Sequence, residues 1–226
     1  MKLKSFGCSF IFGSELPDDG SHTNYHHYSR MTWPALLAKN IGYDYDCFAR
    51  PGTGNLSILE SILSQSETNK NDLYVIGWTW IDRFDYLTSQ YNVVSSNSPH
   101  WNTILPTDTG KESEFYYKNF HSQFTDKLTT LCYIKLAIDT LKQQGIPFIM
   151  TYMDDLIFER QWHSTPAVSV MQDYIRPYMS TFQNKNFVDW SKNQQLPISK
   201  SMHPLEEAHQ AAVDLVYQDI DQWIKL

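Results

Sequence analysis

A serine and a histidine at opposite ends of the chain carry the first chemical suggestion. Ser9 stands in Phe6-Gly7-Cys8-Ser9-Phe10, directly after a short apolar run, and His203 stands in Met202-His203-Pro204, just before the final amphipathic stretch. A hydroxyl becomes a useful nucleophile when an imidazole takes its proton, and such a pair can open an ester by acyl transfer. A strand ending in Gly-x-Ser leaves its hydroxyl on a tight turn at the carboxyl edge of a sheet, where open α/β folds place their chemistry. The amide of Ser9 can itself contribute to an oxyanion pocket there. Cys8 is the rival nucleophile, because thiolates are intrinsically better. Its position in the turn is expected to face the sheet interior, where a buried thiol is inert, so Ser9 is favoured.

His203 has an argument of its own. Pro204 in a first helical turn would place it at or beside the N-cap of the last helix. The positive end of that helix disfavours imidazolium and keeps the ring competent as a base. Glu206 and Glu207 suit the same dipole, whereas His209 falls on the helix and is expected to be structural. Gly52 and Gly54 bracket Thr53 ahead of another helix start, a natural place for backbone amides to face an anion. A phosphate loop is not expected, since no third glycine and no Lys-Ser/Thr follow. His22, His26 and His27 with Asp18 and Asp19 lie in one polar stretch but match no metal-ligand spacing, so no metal and no cofactor are expected.

The elements that must position these residues alternate. Lys2–Gly7 reads as strand one, Trp33–Ile41 as a helix stopped by Gly42, and Tyr43–Phe48 as strand two. Asn55 caps a helix whose apolar positions Leu56, Leu59, Ile62 and Leu63 recur at spacing three and four. Leu73–Gly77 is a continuous apolar run, the signature of a strand buried on both faces. The longest helix follows, with Phe120 to Leu141 on one face and a stop at Gly145. Pro147–Tyr152 gives strand four, Phe187–Asp189 a short strand five, and Leu205 to Trp223 the closing helix. The expectation is one domain over residues 1–226, an α/β/α three-layer fold on a five-stranded parallel sheet, with an irregular insertion at about 80–117.

Composition narrows the partners. With 25 acidic and 18 basic side chains the net charge is −7, which offers no basic stripe for a nucleic acid. No apolar run approaches the roughly 18 residues that span a bilayer, and the N-terminus lacks a signal-peptide core, so a cytoplasmic protein with no membrane partner is expected. Three cysteines at unpatterned spacing suggest free thiols.

Four separated blocks together make the chain resemble the SGNH (GDSL-like) hydrolases. Gly7-Cys8-Ser9-Phe10 resembles the first, with cysteine where the family usually carries aspartate, and Arg50-Pro51-Gly52-Thr53-Gly54-Asn55 the second. Ile76-Gly77-Trp78-Thr79 stands where the third block has Gly-x-Asn, and Met202-His203-Pro204-Leu205 resembles the last. The resemblance implies a flavodoxin-like strand order, Ser9 and His203 as the catalytic pair, and an oxyanion pocket from Ser9, Gly52 and Thr79. The family's triad aspartate lies three residues before the histidine, where this chain has Lys200. The third member would then be a backbone carbonyl or a carboxylate from elsewhere: Asp189, Asp154 or Asp155.

Two functions follow. The first is a serine esterase acting on a small-molecule or carbohydrate ester, an O-acetyl sugar being favoured by family precedent and by Tyr25, Tyr28, Trp78, Trp80 and Trp101. The alternative is a catalytically weak or inactive SGNH-fold binding or structural module, for which Lys200, Thr79 and a partner-contacting segment at 80–117 speak. The Phe-Gly-Cys-Ser-Phe variant with its downstream Arg-Pro-Gly is similar to proteins encoded by bacterial viruses, which would make the location a virion.

Overall fold

A computed structural model of the chain describes residues 1–20, 27–66, 70–87 and 101–226. Four parallel strands form its sheet: β1 (Lys2–Phe6), β2 (Asp44–Cys47), β3 (Leu73–Trp78) and β6 (Phe148–Tyr152), in the order β2-β1-β3-β6. Between β3 and β6 the chain makes a small antiparallel pair, β4 (Phe84–Tyr86) with β5 (Asn102–Ile104). The helices are α1 (Ser9–Phe12), α2 (Trp33–Ile41), α3 (Asn55–Gln65), α4 (Lys111–Asn119), α5 (Gln123–Gln144), α6 (Pro166–Ile175), α7 (Phe187–Asn193), α8 (Glu206–Gln218) and α9 (Ile220–Trp223).

The strand pleat sorts the core into two layers, because successive side chains point to opposite faces. Leu3, Val75 and Ile149 meet Leu37 of α2 and Ala208, Ala212 and Val216 of α8 on one face. Phe6, Tyr74, Ile76 and Met150 meet Ile58 and Ile62 of α3 and Ile134 and Ile138 of α5 on the other. All six residues of β3 are buried, as its unbroken apolar run predicts. Lys4 is the exception to an apolar interior, and its ammonium pairs with Asp72 at 3.2 Å, both nearly sealed from water. Among the described residues no helix is long and apolar enough to cross a membrane.

The expected fifth strand is absent from the sheet among the described residues. Phe187–Asp189 opens α7 instead, because the Asn186 side chain accepts from the Asp189 amide at 2.9 Å and caps a helix there. The outer edge of β6 is covered by shorter contacts. Met150 forms a single parallel bridge with Met179, and Phe148 exchanges both backbone bonds with Lys225. The 80–117 segment, expected to be irregular, holds β4, β5 and most of α4, while residues 88–100 lie outside the described ones.

With β1 central and its neighbours reached by crossovers in opposite directions, the topological switch lies at the carboxyl ends of β1 and β3. Ser9 follows the first of these strands, and Thr79 and Trp80 follow the second.

Candidate active site

Ser9 reaches the sheet edge through two glycines. Gly7 takes φ 155°, which a side chain rarely adopts, and a Cβ there would meet Ile11 Cγ1 at 2.7 Å and the Gly77 carbonyl at 2.9 Å. A Cβ on Gly77 would meet the same Ile11 atom, so the paired glycines let α1 turn directly onto the strand ends. Cys8 forms the N-cap of that turn and is 1% exposed, the inert inward position expected of it. Ser9 is the first residue of α1, so its amide is among those with no acceptor inside the helix.

The Ser9 hydroxyl lies 2.8 Å from His203 Nε2, across 194 positions of sequence. His203 Nδ1 lies 2.6 Å from Glu15 Oε2. With Nδ1–H donating to the carboxylate, Nε2 is left as the acceptor of the serine proton. Ser9, His203 and Glu15 therefore form a continuous chain of hydroxyl, imidazole and carboxylate, the order that a hydrolytic triad requires. Ser9 is 7% exposed, and the His203 and Glu15 side chains 17% and 43%, so the contacts run outward from a covered hydroxyl.

Glu15 is the member that sequence reasoning missed, and the structure places none of its three candidates on the ring. Asp189 is exposed, accepts from the Asn186 side chain at 2.8 Å and lies 3.7 Å from Lys192. Asp154 is buried and accepts the amides of Ile81 and Leu156, both at 3.0 Å. Asp155 is exposed and opens a 3₁₀ turn, Asp155–Ile157. Glu15 is held from both sides instead. Ser9 O accepts the amides of Gly13 and Ser14, and Asp19 Oδ2 accepts the Glu15 amide at 2.7 Å. The Ser199 and Ser201 hydroxyls each donate to Glu15 Oε2 at 2.5 Å. These serine bonds, ahead of the His203 contact, pull the carboxyl below the usual carboxylate range. Glu15 takes φ 69°, a left-handed conformation that costs a non-glycine residue roughly 1–2 kcal/mol.

His203 does not sit at the helix cap. Leu205 is the N-cap of α8, and His203 precedes it by two residues, in a loop closed on itself. Leu205 N donates to Pro197 O at 2.9 Å, and Ser199 N to His203 O at 2.8 Å. Orientation of the ring comes from Glu15 and from Phe10, whose ring centroid lies 4.9 Å away. His209, expected to be structural, is buried in α8. Its Nδ1 accepts the Trp33 amide at 3.1 Å, and burial pushes its pKa down to about 3.

The proposed oxyanion donors divide. Gly52 takes φ 75° in an open turn, where an added Cβ would meet nothing within 4 Å, and that turn is joined to the end of β1 by Arg50 N donating to Gly7 O at 3.0 Å. The amide of Gly54, by contrast, is already used: it donates to Asp85 Oδ1 at 2.9 Å. Thr79 is fully buried, and its hydroxyl has no partner among the described residues, so it is not offered to the cleft. Its backbone is clamped by Asn55, which accepts from Thr79 N at 2.9 Å and donates to Thr79 O at 3.2 Å. The cap of α3 is Gly54 rather than Asn55, which spends its side chain on this clamp.

Other expectations are settled by position. Trp78 is fully buried and cannot meet a ligand, Tyr28 packs edge-on against Tyr45, and Tyr25 lies outside the described residues. Of the candidate metal cluster, His22 and His26 also lie outside them, His27 faces its neighbour's carbonyl, and Asp18 and Asp19 brace the loop that carries Glu15.

Neither a family model nor a curated sequence matches the chain. Solved structures match it in fold. The esterase EstA from Pseudoalteromonas sp., in a structure inhibited by monoethylphosphonate, is 10% identical with a TM-score of 0.52 over 98% of this chain and 97% of that one. The acetyl xylan esterase Est2A from the rumen bacterium Butyrivibrio proteoclasticus is 13% identical with a TM-score of 0.51. A carbohydrate esterase whose active site displays divergent catalytic and non-catalytic binding functions is 14% identical with a TM-score of 0.53. This chain covers 64% of each of the last two. At these identities the likeness establishes the architecture, the α/β/α fold of SGNH-type hydrolases.

Proposed function

We propose that this chain is a divergent SGNH-type serine ester hydrolase in which Glu15 replaces the family's aspartate. The observation that carries the reading is the continuous contact from Ser9 Oγ through His203 to Glu15, at 2.8 and 2.6 Å. Ser9 Oγ attacks the ester carbonyl while its proton passes to His203 Nε2. Glu15, ionised, stabilises the imidazolium that results. The amides of Ser9 and Gly52 stabilise the tetrahedral oxyanion, two donors in place of three. Nε2–H then protonates the departing alcohol as its bond to carbon breaks. Water, deprotonated by the same nitrogen, releases the acid from Ser9. An O-acetyl carbohydrate is the substrate class that the fold relatives favour.

A binding module without turnover is the second reading, and the enclosed Thr79 hydroxyl favours it, since loss of one oxyanion donor costs roughly 10²–10³ in rate. Hydrolysis of 4-nitrophenyl acetate separates the two. Wild type is expected to turn over and to lose activity on stoichiometric labelling by an ethyl phosphonate at Ser9, and Ser9→Ala to do neither. Equal rates for the two proteins would remove the esterase reading.

A further inference from the structure

A cavity of about 340 Å³ is lined by neither Ser9 nor His203 but by residues tied to both. Ser201 and Met202, the residues immediately before His203, form one side. Trp80 forms another, and its ring lies 5.5 Å from that of Phe10, which follows Ser9 and packs at a tilt against His203. Leu105, from the segment after β5, faces them. The cavity thus lies on the histidine side of the site. A second hollow of about 290 Å³, lined by Arg50, Gly52 and Trp101, lies on the oxyanion side, and Leu105 borders both.

Position relative to His203 decides which part of an ester each hollow can take. The alcohol must leave next to the nitrogen that protonates it, so it belongs in the cavity of Trp80 and Met202. Arg83 is the cationic group that lines that cavity. Arg83 donates to the Thr53 carbonyl at 3.0 Å and lies 4.8 Å from the Trp80 ring, but no carboxylate pairs with it among the described residues. Those two contacts fix its planar fork without neutralising it. A half-buried guanidinium held in place by an aromatic face and a carbonyl is a preformed receptor for a carboxylate. Asp82, which also lines the cavity, makes no ion pair with Arg83. Burial, then the nearby Asp154, raises its carboxyl above the usual range, while the Arg83 charge works against that rise.

We propose that the cavity bounded by Trp80, Arg83, Leu105 and Met202 is the alcohol subsite, and that it selects esters whose alcohol carries a carboxylate, such as an O-acylated acidic sugar. The proposal rests on the esterase reading of Ser9 and His203 and adds to it the identity of the leaving group. Arg83 is its specificity-determining residue.

Matched acetyl esters of methyl galacturonoside and methyl galactoside, with released acetate measured, test it. Wild type should favour the acidic ester in kcat/KM by about tenfold, the scale of one charge-assisted hydrogen bond, and 0.5 M NaCl should shrink that preference. Arg83→Gln should erase the ratio, and Arg83→Lys, which keeps the charge if the fork is needed for folding, should retain part of it. No preference in wild type, or a ratio unchanged in Arg83→Gln, overturns the subsite while leaving the esterase reading intact. Ser9→Ala supplies a readout without turnover: by NMR titration it should bind methyl galacturonoside more tightly than methyl galactoside, and equal affinities again overturn the subsite. Failure of the esterase reading is seen separately, as wild type that neither turns over an aryl ester nor takes up phosphonate.

Discussion

In the proposed triad Glu15 stands in for the aspartate that the resembled family carries three positions before the histidine, and it comes from the other end of the chain. Lys200 occupies that upstream position and is exposed. The loop around it still serves the carboxylate, since Ser199 and Ser201 on either side of Lys200 donate to Glu15. Replacing Glu15 by Gln keeps the size and an acceptor but removes the charge that stabilises imidazolium. Loss of the triad carboxylate can cost about 10⁴ in kcat where it is buried. Here the side chain is 43% exposed and solvent screens part of its effect, so a fall of about 10² in kcat with little change in KM is expected. Steady-state kinetics at neutral pH checks this, and wild-type rates in the variant would make Glu15 a bystander. The pH sign follows from the depressed carboxyl. Its contribution is full above the ordinary carboxylate pKa and is lost only as pH falls through the lower folded value, so the stability gap between wild type and Glu15→Gln should close only in acid, below about pH 4.3.

At the scale of elements, the β4–β5 pair that interrupts the fold holds the Gly52–Gly54 turn in place. Asp85, on β4, accepts the amides of Gly54 and Ser57 at 2.9 Å each and the Thr103 hydroxyl at 2.6 Å. It caps α3 from outside the helix, and a carboxylate at a helix N-terminus also suits the dipole. The same geometry fills the anion position that the Gly52–Gly54 pattern suggested, with a side chain in place of a ligand. Asp85→Ala would strand two buried amides and the part-buried Thr103 hydroxyl, at about 1–3 kcal/mol for the first and less for those water can reach. A loss of about 3 kcal/mol in urea unfolding is expected, with kcat falling because the turn bearing Gly52 loosens. Unchanged stability would mean that the cap is dispensable. Legibility followed the same division. Strands such as Leu73–Trp78 and helices stopped by Gly42 and Gly145 were readable because apolar runs and left-handed glycines are local signals. Phe187–Asp189 misled because three residues fit a strand or a helix equally, and only the Asn186 cap decides between them. The meeting of Ser9 with His203 was suggested by the strand turn and the four separated blocks, whereas the cap argument for His203 failed because Leu205 holds that position. Glu15 was not readable, because its role depends on a loop fold that joins positions 15 and 203 and leaves no periodicity in either segment.

For the whole molecule, the two layers of core meet different demands in acid. On the α2–α8 side His209 is sealed and neutral, its Nδ1 occupied by the Trp33 amide and its pKa pushed down to about 3 by burial. In the unfolded chain the same ring titrates near 6.5. The folded state therefore binds fewer protons than the unfolded state throughout the interval between those values. Stability tied to His209 is complete above pH 6.5 and drains at about 1.4 kcal/mol per pH unit as pH falls toward 3. On the α5 side Asp126 works in the opposite sense. Burial, partly offset by His121, raises its carboxyl to about 6, so protonation favours the folded state below that pH. The wild-type profile mixes both slopes, and a single-variant difference isolates one of them. His209→Asn keeps an acceptor near the Trp33 amide and has no proton to gain. It should cost stability at pH 8, where the ring packs against Phe187 at 4.9 Å without penalty, and should recover against wild type by about 1.4 kcal/mol for each pH unit below 6.5. Urea midpoints of the two proteins at pH 8, 6.5, 5.5 and 4.5 measure the crossing. Parallel profiles would mean that His209 is protonated in the fold, and that the contact between Trp33 and α8 is built differently from the one described.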